Sequence, residues 1–102
     1  MKNVILKQDA QDDIVQIKEY ISKDSIYYAN KTANEILNKT EYLTMFPYMG
    51  RKIPEYNMEN FRELIYKSYR ILYKVNSNIY ILNIFHHSRD ILNSISISKS
   101  IN

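Results

Sequence analysis

His86 and His87 stand side by side, and Arg62, Arg70, Lys74 and Arg89 flank them in the same part of the chain. An imidazole with an intrinsic pKa of about 6.5 takes and returns a proton at neutral pH. Guanidinium and ammonium groups hold a phosphate while charge builds on it. Together these are the group types needed to cleave RNA through its own 2′-hydroxyl. A base takes the hydroxyl proton, cations hold the pentacoordinate phosphate, and an acid serves the departing 5′-oxygen. With Arg51 added, the same cations also suit plain binding of an anionic target, either nucleic acid or an acidic protein segment.

Each of these residues has an ordinary structural use as well. Two adjacent histidines on a strand point to opposite faces, so at most one meets an open surface and the other packs or caps. Arg62 and Arg70 have Glu63, Glu55 and Asp90 as candidate ion-pair partners, and Arg89 with Asp90 makes a local pair. Tyr69 and Tyr73 alternate with Ile71 on one face, which favours core packing over stacking on bases. The sole glycine, Gly50, reads as a turn residue required for its φ. No metal or other cofactor is expected: the two histidines diverge, no acid is placed to complete a site, and there is no cysteine.

The charge balance is uneven. Residues 1–46 carry six lysines against seven acids, whereas residues 47–102 carry eight basic residues against four acids, giving −1 and +4 and a total of +3. All four arginines lie in the second half, and arginine is the residue suited to planar, two-pronged recognition of phosphates and carboxylates. With 102 residues the chain has room for one modest core. No apolar run reaches the length of a membrane span, and the apolar start at Val4–Leu6 is too short for a signal peptide. A cytoplasmic protein without membrane contact is the expectation.

The elements that would position these groups are legible in the periodicity. Val4, Ile5 and Leu6 suggest an opening strand. Asp9 looks like an N-cap, with Asp12 and Asp13 in the first turn of a helix whose apolar stripe is Ala10, Ile14, Ile17 and Ile21. After a break at Ser22–Ser25, a second stripe runs through Ala29, Ala33, Ile36, Thr40 and Leu43, widened by Ile26, Leu37 and Tyr42, until Pro47 and Gly50 end it. So short a link predicts an antiparallel helical hairpin. Residues 47–60 read as a loop. Three strands follow at 61–66, 69–75 and 79–85, joined by hairpin-length breaks into an antiparallel meander. The last is apolar on both faces and so belongs in the middle of a sheet. The predicted class is α+β in two layers. An N-terminal strand and a helical hairpin pack on a three- to four-stranded, mainly antiparallel sheet whose second face stays open for binding. The tail from residue 93 to 102 fits either an edge strand or a helix.

Four landmarks now stand in order: Phe46-Pro47-x-x-Gly50-Arg51, then Phe61-Arg62-Glu63-Leu64, then Tyr69-Arg70-Ile71-Leu72-Tyr73, then His86-His87-Ser88-Arg89-Asp90. Preceded by a helical hairpin, this series resembles the RelE/ParE toxin superfamily of type II toxin–antitoxin systems, and the ParE-like branch in particular, over roughly residues 4–92. The resemblance implies a single domain over residues 1–102. It also implies a cognate antitoxin that wraps the toxin in a hetero-oligomer, and one of two targets. RelE-like members cleave mRNA on the ribosome without metal, for which His86, His87 and Arg70 would be the catalytic groups. ParE-like members poison DNA gyrase without known hydrolysis, and Arg51, Arg62, Arg70, Lys74 and Arg89 would then grip the target. RelE-like enzymes usually carry a tyrosine shortly after the last arginine. Here Asp90-Ile91-Leu92-Asn93 follows Arg89, which favours the gyrase branch. A non-toxic RNA- or protein-binding module on the same fold is the remaining alternative.

Overall fold

The computed structural model describes residues 1–86. His87, Arg89 and the tail 93–102 lie outside the described residues. The described chain runs β1 (Val4–Leu6), α1 (Gln8–Ser22), α2 (Ile26–Glu41), a 3-10 turn (Tyr42–Thr44), β2 (Arg51–Lys52), β3 (Phe61–Tyr66), β4 (Tyr69–Val75) and β5 (Ile79–His86). The five strands form one sheet in the order β1-β5-β4-β3-β2. β1 lies parallel to β5, and every other pairing is antiparallel. The helical hairpin thus carries the chain across one face from one sheet edge to the other, and the meander returns it.

This is the expected α+β architecture with one more strand. β2 sits in the segment read as loop, because two residues, Arg51 and Lys52, are too few to show a period yet pair with Glu63 and Arg62. α1 begins two residues earlier than the capping signal suggested. Lys7 holds the N-cap position without a side-chain bond, and Asp9 lies inside the first turn, where a carboxylate still favours the helix dipole. Asp13 does something else. Its Oδ2 accepts from the Ile84 N–H at 2.8 Å and from Asn83 Nδ2 at 3.3 Å. β1 pairs only with Ile79–Ile81, so this stretch of β5 runs beyond its neighbour and is tied to α1 instead.

α2 is capped as its sequence asks, with Ser25 Oγ accepting from the Tyr28 N–H at 3.1 Å. Ala29, Ala33, Ile36, Thr40 and Leu43 are buried as one stripe. Ile26 and Tyr42, expected to widen it, are exposed. Ile26 is the first residue of the helix, and the backbone tightens into the 3-10 turn at Tyr42, so Leu43 turns inward and Tyr42 outward.

Strand alternation divides the core in two. Leu64, Ile71, Tyr73, Ile79, Ile81 and Ile84 face the helices. Phe61, Leu72, Leu82 and Phe85 face the other way, where Ile53 joins them and Tyr56 packs alongside. The second face is therefore not left open as expected. It carries its own small apolar cluster, with the chain after β2 folded onto it.

Candidate functional site

The charged residues that sequence reasoning singled out concentrate at the β2 edge. Arg51 of β2 lies opposite Glu63 of β3, and Arg70 of β4 lies opposite Ile65 of β3. Alternation puts Glu63, Ile65 and Arg70 on the face away from the helices. The Glu63 side chain is fully buried. Its Oε1 accepts from Arg51 Nε and its Oε2 from Arg70 Nε, both at 2.6 Å. A buried carboxylate is strongly unfavourable unless its oxygens are paired, and here two guanidinium groups, one for each oxygen, meet that need.

Arg70 is itself almost wholly buried. The far side of its fork holds Glu55 two-pronged, with Nη1 and Nη2 donating to Oε2 and Oε1 at 2.9 Å each. That hydrogen-bonded fork, helped by the nearby Arg70 and Arg51 charges, keeps the Glu55 carboxyl below its ordinary range, against a smaller opposing effect of burial. The Glu55 and Glu63 bonds hold the Arg70 guanidinium above its already high value, so it stays charged throughout.

Arg62 is turned to the opposite face. Its expected partners were Glu63, Glu55 or Asp90; instead Nη2 binds Glu59 Oε1 at 2.5 Å and Nε binds the Glu59 carbonyl at 2.8 Å. Its Nη1 donates to the Gly50 carbonyl at 3.2 Å, and its guanidinium lies 5.1 Å from the centre of the Tyr48 ring. Lys52 Nζ reaches the second Glu59 oxygen at 3.2 Å. The link between β2 and β3 thus supplies two carboxylates, one for each side of the sheet edge.

Gly50 corrects a second expectation. Its φ is not positive, so no left-handed turn requires it. A Cβ there would sit 2.7 Å from the Tyr73 hydroxyl and 2.9 Å from the Glu63 carbonyl carbon, and nearer still to that carbonyl's oxygen. Glycine is needed for close approach: its N–H donates to Tyr73 Oη at 3.0 Å. Burial pushes the Tyr73 phenol up, so it remains a hydroxyl at neutral pH.

The remaining candidates stand apart. Lys74 lies 5.3 Å over the Phe61 ring, toward the other end of β4 from Arg70. His86 closes β5 opposite Tyr69, and the two rings meet edge to face at 6.1 Å. Tyr69 packs on the helix-side core, so His86 and Tyr69 belong to that side, where they border a cleft of about 530 Å³ with Ile17 and Tyr20 of α1. Arg70 is on the other. The sheet therefore separates the imidazole of His86 from the guanidinium of Arg70. Among the described residues no cluster of three His, Cys, Asp or Glu could hold a metal ion, and no helix is long and apolar enough to cross a membrane.

The sequence pointed to Glu63 and Glu55 as partners for Arg70 but gave no sign that Glu63 is the buried centre. Glu59 was missed, although its position three residues before Arg62 is a usable signal.

A helical hairpin on a mainly antiparallel sheet, with an arginine-bearing edge, is the build of a small toxin of the RelE/ParE kind. The same fold is found in a chain of the chromosomal ParDE TA system from P. aeruginosa, with a TM-score of 0.71 at 20% identity, over 84% of this chain and 96% of that one. The sequence profile described as the ParE toxin of type II toxin-antitoxin system, parDE, matches residues 4–91. The chain belongs to that family. No curated protein sequence matches it.

Proposed function

We propose that this chain is a growth-inhibiting toxin restrained by a cognate antitoxin in the cytoplasm, and that its target is DNA gyrase rather than ribosome-bound mRNA. The observation that carries the choice of target is the engagement of Arg70, whose Nε, Nη1 and Nη2 are all bound by the carboxylates of Glu63 and Glu55 rather than turned to a phosphate beside an imidazole. A ribonuclease would bring a proton-transfer group and a phosphate-holding cation to one phosphate. In this chain His86 borders the helix-side cleft while Arg70 is bound on the other face to Glu63 and Glu55. The ParE-like ending at Arg89-Asp90 supports the same reading.

A protein partner is supported by a run of exposed large apolar side chains just after α2: Tyr42, Met45, Phe46, Tyr48 and Met49 are each 47–66% exposed. Such a patch is the kind of surface an antitoxin segment would cover.

Two assays test the proposal. Induction of the chain alone should arrest bacterial growth, and co-expression of its antitoxin should restore it; normal growth at good expression counts against a toxin. The purified protein should then inhibit gyrase supercoiling while leaving message intact in a translating ribosome extract. Cleaved message with unaffected gyrase would overturn the choice of target. Arg89, outside the described residues, is proposed as a target contact, so Arg89→Ala should lower toxicity more than Lys23→Ala.

A further inference from the structure

Glu55 occupies a position that a ligand could take. The Arg70 fork beneath it is held by the buried Glu63, which fixes Nε and leaves the two Nη groups aimed outward. Arg51 is anchored to the same carboxylate through Nε, with its side chain 64% exposed. Its Nη groups bind no partner among the described residues. Glu55 comes from the irregular link between β2 and β3 and remains partly exposed.

We propose that Arg51 and Arg70, both oriented by the buried Glu63 carboxylate, form a carboxylate-binding site that Glu55 fills in the isolated chain and that an acidic segment of a protein partner takes over. This rests on the antitoxin reading above and names the contact through which such a partner binds.

Three observations favour a protein carboxylate over a phosphodiester. The occupant already present is a carboxylate, bound two-pronged at 2.9 Å on both oxygens, which is the planar match between guanidinium and carboxylate. Arg70 is only 7% exposed, so a side-chain end can reach it where a nucleic-acid backbone cannot lie against it. Ile65, opposite Arg70 on the same face, is 46% exposed. It offers apolar contact to a peptide and nothing to a phosphate.

Glu55 also sets the selectivity. A tethered carboxylate competes at an effective concentration on the order of millimolar. A lone anion cannot displace it at lower concentration, whereas a segment that adds contacts at Ile65 and Arg51 can. The exchange leaves the charge on Arg70 balanced throughout and returns Glu55 to water.

The test uses the full chain and a fluorescein-labelled peptide of alternating Glu and Leu, followed by anisotropy at fixed salt. Glu55→Gln should bind the peptide at least fivefold more tightly than the parent chain, and Arg51→Ala in the Glu55→Gln background should remove most of that gain. Glu55 is partly exposed, so Glu55→Gln keeps the fold. Arg51→Ala takes one donor from the buried Glu63, so a thermal melt accompanies it. Ile65→Ser in the Glu55→Gln background, which leaves both Glu63 pairs in place, should also reduce the gain. Equal binding by the parent chain and Glu55→Gln overturns the proposal. So does a gain that survives Arg51→Ala, or a Glu55→Gln chain that gains affinity for a duplex DNA or single-stranded RNA oligonucleotide instead of the peptide. The readout is independent of growth arrest, so a chain that binds as expected but is not toxic would refute the toxin reading while leaving the site intact.

Discussion

On the helix side of the sheet, Ile36, Leu43, Ile71, Tyr73 and Ile81 pack together with no charged side chain among them. On the other side, the apolar patch of Phe61, Leu72 and Phe85 gives way within the same strands to Glu63 and Arg70. The first face is held by contacts that are individually weak and interchangeable, so it tolerates small losses of volume. The second depends on two guanidinium groups meeting one buried carboxylate, and it has no partial form: each oxygen of Glu63 has its own donor. Stability is graded on one face and all-or-none on the other. The all-or-none face is where binding is proposed, because an oriented, desolvated charge recognises a partner's charge better than an apolar surface does.

The sharpest way to break this contrast is to remove the centre of the ionic face. Glu63→Ala leaves Arg70 buried without its inner partner and should cost about 3–5 kcal/mol. Ile71→Val, a loss of one methylene on the helix side, should cost about 0.5–1.5 kcal/mol. Urea unfolding of both variants beside the parent chain measures the two. Similar losses would mean that the Glu63 cluster is no more demanding than ordinary packing.

The next test sits where the two faces meet. Gly50 donates to Tyr73 on the helix side, accepts from Arg62, and precedes Arg51 in the ionic cluster. Gly50→Ala forces a methyl group against the Glu63 carbonyl, which cannot move without shifting a strand, and against the hydroxyl of the buried Tyr73. Overpacking of this kind costs about 1–3 kcal/mol, and the loss should appear as a lower urea midpoint. A Gly50→Ala chain as stable as its parent would show that β2 can separate from β3 freely, and the ionic cluster would then be less rigidly placed than its distances imply.

The same contrast accounts for what could be read from the residues alone. The helix stripe through Ala29, Ala33, Ile36 and Thr40, and the meander over 61–66, 69–75 and 79–85, follow from periodicity, because burial selects apolar residues at regular intervals. The ionic cluster has no period. Glu63 reads as an ordinary polar residue in an alternating strand, and only the pairing of β2 with β3, two residues long, brings Arg51 to it. Gly50 was legible as special but for the wrong reason, since a close approach across 23 residues leaves no local trace. The separation of His86 from Arg70 was open to a parity argument only once the register of β4 against β5 was fixed.

The smallest effect expected is also the most selective. The Arg70 fork lowers the Glu55 carboxyl below its ordinary 4.5, so deprotonated Glu55 favours the folded chain. That contribution is complete above about pH 4.5 and is lost as the pH falls through the lowered value. Glu55→Gln lacks it at every pH. The parent chain should therefore be more stable than Glu55→Gln by a constant margin between pH 7 and about pH 5, and the margin should close on further acidification. Ile71→Val, which removes no charge, should keep a constant margin across the same range. Urea midpoints measured at successive pH values for the three chains compare the faces directly. A Glu55→Gln margin as flat as that of Ile71→Val would mean that Glu55 is held by packing of the link rather than by the guanidinium beneath it.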